Sequence, residues 1–372
     1  MCGLSEAIDA RRQNSSLCMF GRFQEATVGA AVDTNRGLSL IRGWLLLVCA
    51  TIVLMVGVGG ATRLTHSGLS MVDWKPITGI LPPLNAAEWE AEFAQYKQYP
   101  EYQKLNRGMT LEGFKTIFYW EYGHRILGRA IGLIYALPFL YFWLSGSIER
   151  RFLPRFWIAL GLGGSQGLLG WYMVKSGLVD RPSVSHFRLA AHLCLALFIL
   201  AYIFDLFLTL GRTAKTVVPM WLRSMVLAFT ILLVLQLIYG GFTAGLKAGL
   251  GFNSYPKMGE QWIADAALTL MPFWTNLIDN GAMIQFIHRW LGLAVVISAL
   301  MVCIAALRWG ASARLTRAAC LCVGLVAVQF LLGVTTLVLV VPLNWALSHQ
   351  VFACFLVLGL VYLNYLVRPQ KA

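Results

Sequence analysis

Eight apolar stretches, each long enough to cross a bilayer, run along this chain. A nearly uncharged run of about 18 residues or more is typical of a membrane-spanning helix, because the hydrocarbon core is about 30 Å thick. The stretches lie at 43–61, 126–146, 156–174, 189–210, 224–246, 290–307, 318–340 and 346–367. The pattern predicts an all-α polytopic membrane protein with eight transmembrane helices.

The first four predicted helices resemble the last four in sequence. The segment EYGHRILG at 121–128 recurs 164 positions later as QFIHRWLG at 285–292. Because each repeat holds an even number of helices, both have the same orientation, which predicts a pseudo-twofold axis along the membrane normal. The other matched segments are 59–62 with 240–243 and 166–170 with 329–333.

This repeat predicts two tandem four-helix bundles. We expect the N-terminal bundle at 41–210 and the C-terminal bundle at 218–367, with a long outer loop at 62–123 in the first. Residues 1–40 are polar and lack a continuous apolar segment, so they are predicted to form a disordered cytoplasmic tail rather than a secretory signal.

Composition and charge agree with a membrane protein. Of the 372 residues, 58% are hydrophobic and 13% charged, whereas soluble domains carry about 25% charged residues. With both termini inside, the inner segments hold 16 Lys and Arg in 81 residues and the outer segments 11 in 125. This bias predicts an N-in, C-in topology, so the net charge of +13 indicates contact with the lipid bilayer and not with nucleic acid.

Four histidines occupy matched places in the two halves. His124 and His192 belong to the first repeat, and His288 and His349 to the second. Two histidines on facing helices of a bundle favour an axially ligated haem, because a zinc or copper site requires three or four ligands. The pattern predicts two haem sites, and a proton pathway remains a competing interpretation.

The residues around the histidines differ between the halves in one respect. Arg125 and Arg289 each come directly after a histidine. Such an arginine is typical of a helix end at the lipid interface, and it is also suited to pair with a haem propionate; the two interpretations are compatible. Glu121 stands one turn before its histidine, whereas the counterpart Gln285 cannot ionise. We expect the N-terminal half to be reactive and Glu121 to be its catalytic carboxylate.

The first outer loop is the longest segment between predicted spans. Its stretches around 86–98 and 110–120 are amphipathic, and we expect it to cover the outer membrane surface as a lid. Two further histidines in the outer segments, His66 and His186, are expected to be surface residues.

Five motifs of the chain are distinctive: GATRLTHSGLSMVDW at 60–74, YKQYPEY at 96–102, WEYGHR at 120–125, SVSHFRLAAH at 183–192 and NSYPKMG at 253–259. They resemble those of the haem A synthase family, and the resemblance covers nearly all of residues 40–367. Unlike some bacterial members, the chain has no cysteine pair in its first outer loop, and it is similar instead to the branch shared by mitochondria and their bacterial relatives.

The resemblance implies an oxidoreductase acting on a CH group. It would convert the C8 methyl of haem O, through a hydroxylated intermediate, to the formyl group of haem A for haem-copper oxidases. His124 and His192 would hold the iron of the substrate haem. His288 and His349 would hold the iron of haem b, through which electrons leave. Glu121 would serve the chemistry.

The resemblance also implies a place in the cell and a set of candidate partners. The expected location is the bacterial inner membrane rather than the mitochondrial one. Candidate partners are a haem O synthase, cytochrome oxidase assembly factors, an unidentified electron acceptor and a second copy of the chain. The residues leave two other functions open, a quinol-linked bis-haem electron carrier of the cytochrome b type and a transporter or assembly partner without turnover.

Overall fold

The computed structural model describes residues 37–74, 79–179, 182–211 and 217–369. Regular structure in these ranges is helical, apart from an isolated antiparallel bridge between Met258 and Gln261. The α-helices are α1 (Gly37–Leu64), α2 (Ala86–Tyr96), α3 (Pro100–Lys104), α4 (Leu111–Leu144), α5 (Leu153–Lys175), α6 (His186–Leu210), α7 (Met220–Gly245), α8 (Asn276–Asp279), α9 (Gly281–Arg308), α10 (Ala313–Val338) and α11 (Leu343–Val367). The predicted tail lies outside the described residues, except for 37–40, which begin α1.

Seven of the described helices are long and apolar enough to cross a membrane, so the chain is a polytopic membrane protein. They are α1, α4, α6, α7, α9, α10 and α11. Helix α5 contains the predicted span 156–174 and has 23 residues, but its glycine-rich centre with Gln166 leaves it outside this set. The count of eight spans therefore stays a prediction.

Every long helix begins somewhat before its apolar stretch, and two begin far earlier than the hydrophobic pattern predicts. Helix α4 begins at Leu111 instead of 126, and α9 begins at Gly281 instead of 290. A 34-residue helix is about 51 Å long, so α4 exceeds the hydrocarbon core of about 30 Å and its first turns stand outside the bilayer. Hydropathy identifies the apolar run of each helix, but it does not show that the residues before this run are also helical.

The buried hydrophobic side chains of the long helices form two clusters. The first is formed mainly by α1, α4, α5 and α6, with Trp44, Phe139, Phe156 and Leu200 at its centre. The second is formed mainly by α7, α9, α10 and α11. Each half therefore has a hydrophobic core of its own, and together they provide two rigid frames that position the histidines.

Close approaches of glycine join the two halves. A Cβ added at Gly60 of α1 would lie 2.7 Å from Nε2 of Gln350 on α11. A Cβ added at Gly241 of α7 would likewise lie 2.7 Å from the Cβ of Ala190 on α6. Gly60 and Gly241 are matched positions of the repeat, so the same helix of each half lies against the other half. Small residues permit this because backbones approach most closely where no side chain intervenes.

The outer loop folds onto the protruding part of α4. Trp89, Phe93 and Tyr96 of α2 are buried against Phe114 and Phe118 of α4. The predicted amphipathic stretch 86–98 is thus confirmed as α2, while 110–120 forms the beginning of α4 rather than a separate segment. The loop is consequently a packed structure at the outer end of the first half.

A buried acid ties α5, α6 and the end of α11 together. Asp205 of α6 pairs with Arg155 of α5 at 2.7 Å and with Arg368, just after α11, at 2.6 Å. Its side chain is 12% exposed, so these largely buried contacts join the two halves.

Candidate functional site

Each histidine of the first half packs against a glycine on a neighbouring helix. A Cβ added at Gly59 of α1 would lie 3.0 Å from Nε2 of His124 on α4. A Cβ added at Gly170 of α5 would lie 3.0 Å from Cε1 of His192 on α6. Both distances are shorter than ordinary carbon contacts of about 3.5–4.0 Å, so any larger residue would displace the imidazole.

The second half repeats this arrangement at the matched positions. A Cβ at Gly240 of α7 would lie 3.1 Å from Cε1 of His288 on α9, and one at Gly333 of α10 would lie 2.8 Å from Cε1 of His349 on α11. All four glycines are matched in the sequence repeat. The repeat therefore preserves the packing of the imidazoles as well as their order in the chain.

The structure brings the four histidines together as two pairs, one in each half. His124 lies within electrostatic range of His192, and His288 within range of His349. A glutamine fixes the backbone beside one member of each pair. Gln166 donates to the carbonyl of His192 at 3.0 Å, and Gln329 donates to that of His349 at 3.0 Å.

Three of these imidazoles have a ring nitrogen without a partner. Nδ1 is buried in His192, His288 and His349, and no hydrogen bond to it is formed within the described ranges. A buried polar atom normally has a partner, so the described protein groups do not fully satisfy these imidazoles, as expected of side chains that bind a further group. Two imidazoles on different helices of each half would suit ligation of a haem iron.

The donor set does not suit a bare metal ion. Among the described residues, no three or more His, Cys, Asp and Glu side chains are grouped so that they could hold one. A zinc or copper site would need at least three such ligands. The pairs therefore fit haem better than an isolated metal.

Glu121 lies in a complete cage of donors. Its Oε2 accepts hydrogen bonds from the hydroxyl of Ser70 and the backbone N–H of Met71, both at 2.8 Å. Its Oε1 accepts from Arg125 at 2.6 Å. Glu121 is only 2% exposed, and three donors satisfy both oxygens of its buried carboxylate. The cage holds a carboxylate one turn from His124.

Gln285 occupies the matching cage of the second half. Its amide nitrogen donates to the carbonyls of Ala248 and Gly251 at 2.8 and 2.6 Å, and its oxygen accepts from Arg289 at 2.9 Å. The amide thus fastens the loop after α7 in the way that the carboxylate fastens the loop after α1. The two cages share an arginine four residues after the caged side chain, but the first surrounds a carboxylate with donors and the second binds an amide nitrogen with two carbonyls.

The two arginines next to the histidines brace these loops. Arg125 donates to the carbonyls of Met71 and Asp73 at 2.7 and 2.9 Å. Arg289 donates to the carbonyls of Phe252, Ser254 and Lys257. Both guanidinium groups therefore already bind loop carbonyls, and their pairing with haem propionates stays a prediction.

The two remaining outer histidines differ in exposure. His66 is exposed, as expected. The prediction of a surface position for His186 was wrong, because this residue is 8% exposed and its Nε2 lies 2.9 Å from the carbonyl oxygen of Ile278. His186 begins α6 and lies against Gly245 of α7, where a Cβ would be 2.5 Å away. It therefore belongs to the contact between the halves.

Sequence reasoning missed Ser70 and the four glycines as parts of the site. The glycines carried a signal, since each recurs at a matched place in the two repeats. Ser70 carried none, because its partner Glu121 is 51 positions away and the contact depends on how the loop folds.

Comparisons with known proteins identify the family of this chain. The model of the COX15-CtaA family, described as cytochrome oxidase assembly protein, matches residues 42–361. A haem A synthase of Azorhizobium caulinodans is 46% identical over 336 residues, which cover 90% of this chain and 95% of that protein. Haem A synthases of Mesorhizobium japonicum and Rhodopseudomonas palustris are 47% and 46% identical, over 87% and 88% of this chain and 89% and 88% of their own lengths. The chain belongs to the COX15-CtaA family of cytochrome oxidase assembly proteins.

Proposed function

We propose that this protein is a haem A synthase, which oxidises the C8 methyl of haem O to the formyl group of haem A. When one water supplies the oxygen, the conversion releases four electrons and four protons, and the electrons pass to an acceptor outside the chain. The names of relatives that cover most of the chain support this proposal. The paired histidines support it independently, because they suit axial ligation of two haems.

In this proposal the two pairs have different tasks. His124 and His192 hold the iron of the substrate haem, and His288 and His349 hold the iron of haem b. Haem b, when bound, supplies one-electron transfer. The buried ring nitrogens without a hydrogen-bond partner support ligation in both halves.

The difference between Glu121 and Gln285 is the observation that carries the assignment. The first cage presents donors to both oxygens of Glu121, whereas the second presents two carbonyls to the amide nitrogen of Gln285, so only the first half is built to hold a carboxylate. The carboxylate stands beside the first histidine pair, where it stabilises positive charge that develops as the methyl carbon loses electrons. Arg125, Ser70 and the N–H of Met71 orient this carboxylate and prevent it from turning away.

The proposal includes a topology. Helix α5, about 35 Å long, is the eighth span, and the two bundles are related by a pseudo-twofold axis along the membrane normal. Both termini lie on the cytoplasmic side of a bacterial inner membrane. The two separate buried cores and the matched glycine contacts support the bundles, and the distribution of Lys and Arg supports the orientation. A haem O synthase that delivers the substrate is a partner consistent with this activity.

The test is expression in membranes that make haem O but no haem A, followed by haem extraction and mass analysis. The wild type should give haem A or its hydroxylated intermediate. Glu121→Gln should abolish both while the haem of the C-terminal half remains. Glu112→Gln is the matched control, because Glu112 lies on the same helix with its side chain 79% exposed, and this variant should keep full activity. Growth in labelled water or labelled dioxygen would identify the source of the formyl oxygen.

A bis-haem electron carrier is the second candidate function. It is favoured by the near identity of the four glycine contacts, which makes the two halves resemble two copies of one electron-transfer site. It predicts protohaem at both sites, no modified porphyrin in the extract, and little effect of Glu121→Gln. That combination would contradict the synthase proposal.

A further inference from the structure

The cations at the outer ends of the two sites form a group that the proposed chemistry does not use. Arg63 stands one turn outward from Gly59 on α1, and it donates across the molecule to the carbonyl of Ala244 on α7. Ala244 stands one turn outward from Gly240. Because Gly59 supports His124 and Gly240 supports His288, Arg63 lies between the outer ends of the two histidine sites.

The residues three positions after Arg63 and Ala244 are also matched in the sequence repeat. His66 and Lys247 are equivalent in the repeat and both have a left-handed backbone, with φ of 55° and 54°. This conformation is uncommon for residues other than glycine. His66 lies within electrostatic range of Lys247 and Arg63. Three basic side chains thus meet at the seam between the halves, and we call them the seam cluster.

The seam cluster has an excess of positive charge. No carboxylate lies within ion-pair distance of these three residues in the described part of the chain. Burial, then Lys247 and Arg63, lower the pKa of His66. Glu101 is within electrostatic range of Lys247, but burial raises its pKa to about 7, so at neutral pH it is only partly ionised and offsets only part of the positive charge of Arg63 and Lys247. An anion placed here would be stabilised.

The position of the cluster indicates which anion it suits. Haem carries two propionate carboxylates at one edge, and guanidinium and ammonium groups are the usual partners of carboxylates. Arg125 and Arg289 each donate to two or more loop carbonyls, whereas Arg63 donates to one, that of Ala244. The seam cluster lies one to two turns outward from the glycines that support the histidines. It is therefore within reach of porphyrins that stand edge-on between the imidazoles.

We propose that Arg63, His66 and Lys247 form a shared carboxylate site, which receives propionates of the tetrapyrroles held by the two histidine pairs. This inference rests on the proposed haem sites and adds to them a positioning function at the seam. It also implies that the two sites are electrostatically coupled, because one set of cations serves both.

The test compares binding of protohaem and protohaem dimethyl ester to the haem-depleted full-length protein in nanodiscs of zwitterionic lipid. The wild type should prefer the free acid by about tenfold or more. The double variant His66→Asn/Lys247→Asn should lose this preference, and asparagine tolerates the left-handed backbone at both positions. Arg107→Gln, a change of an exposed cation in the same outer loop, is the control and should keep the preference.

Redox titration of the bound haem gives a second readout. The double variant removes the Lys247 cation beside the propionates, which disfavours the reduced form, so the reduction equilibrium should shift about tenfold towards oxidised haem, or about 59 mV for one electron. An unchanged ester preference and an unchanged midpoint in the double variant would overturn the proposal. An effect that appears only with anionic lipid would also overturn it and assign the cluster to a lipid phosphate. A wild type that binds no haem would instead refute the proposed function itself.

Discussion

Replacement of Gly333 by alanine should remove the haem of the C-terminal half without unfolding the protein. The added Cβ would lie 2.8 Å from Cε1 of His349. Normal carbon contacts are about 3.5–4.0 Å, so the imidazole must retreat by roughly 0.7–1.2 Å. A functional site tolerates displacements of only about 0.5 Å, so a shift of this size should break axial ligation.

The effect on folding should be small, because two terms oppose each other. Overpacking costs about 1–3 kcal/mol, whereas alanine in place of glycine inside a helix contributes about 1 kcal/mol. The net change in the free energy of unfolding is therefore a loss of roughly 0–2 kcal/mol. Gly324→Ala is the matched control on the same helix, since a Cβ there has no neighbour within 4 Å and only the helix term applies.

The assay is the ratio of haem to polypeptide in purified protein, together with the visible spectrum and a thermal unfolding curve. Gly333→Ala should contain about half the haem of the wild type and melt within a few degrees of it, while Gly324→Ala should contain the full amount. If Gly333→Ala keeps all of its haem with an unchanged spectrum, His349 is not a ligand, and the reasoning from the glycine contacts fails.

Three other perturbations test separate parts of the structure. Ser70→Ala removes one of the hydrogen-bond donors to Glu121. The loss of this bond should lower turnover by about tenfold and leave the haem content unchanged. An unaltered rate would show that the cage does not orient the carboxylate. Burial raises the pKa of Glu101 from 4.5 to about 7, so the folded loop binds more protons than the unfolded loop in this window. Loop stability should therefore fall by up to about 3 kcal/mol as the pH rises from 4.5 to 7, as measured by hydrogen exchange of 86–105, whereas Glu101→Gln should show no such slope. Asp205→Asn breaks the ion pairs with Arg155 and Arg368 and should lower the free energy of unfolding by about 1–3 kcal/mol. An unchanged melting temperature would show that these pairs have no role in joining the halves.

The sequence by itself determined the class of the protein and the identity of the main site residues. Apolar runs show which segments prefer lipid, since the cost of burying charge in hydrocarbon is large and local. The repeat then paired His124 with His192 and His288 with His349, because a duplicated segment keeps its place in a duplicated fold. The contrast between Glu121 and Gln285 was visible for the same reason.

The sequence did not determine where helices begin outside the membrane or what the arginines contact. Hydropathy reports the preference for lipid and not the preference for helix, so the predicted span at 126–146 leaves out the first 15 residues of α4. It also left His186 in a surface loop, although this residue is buried between the halves.

Only the tertiary structure decided the contacts between segments that are distant in the chain. Ser70 binds Glu121 across 51 positions, and Arg63 reaches Ala244 across 181. The four glycines became parts of the site only when neighbouring helices brought an imidazole against each of them. The physical reason is that such contacts depend on how two helices approach each other, and the distance between helix axes is set by all the side chains packed between them rather than by any local pattern.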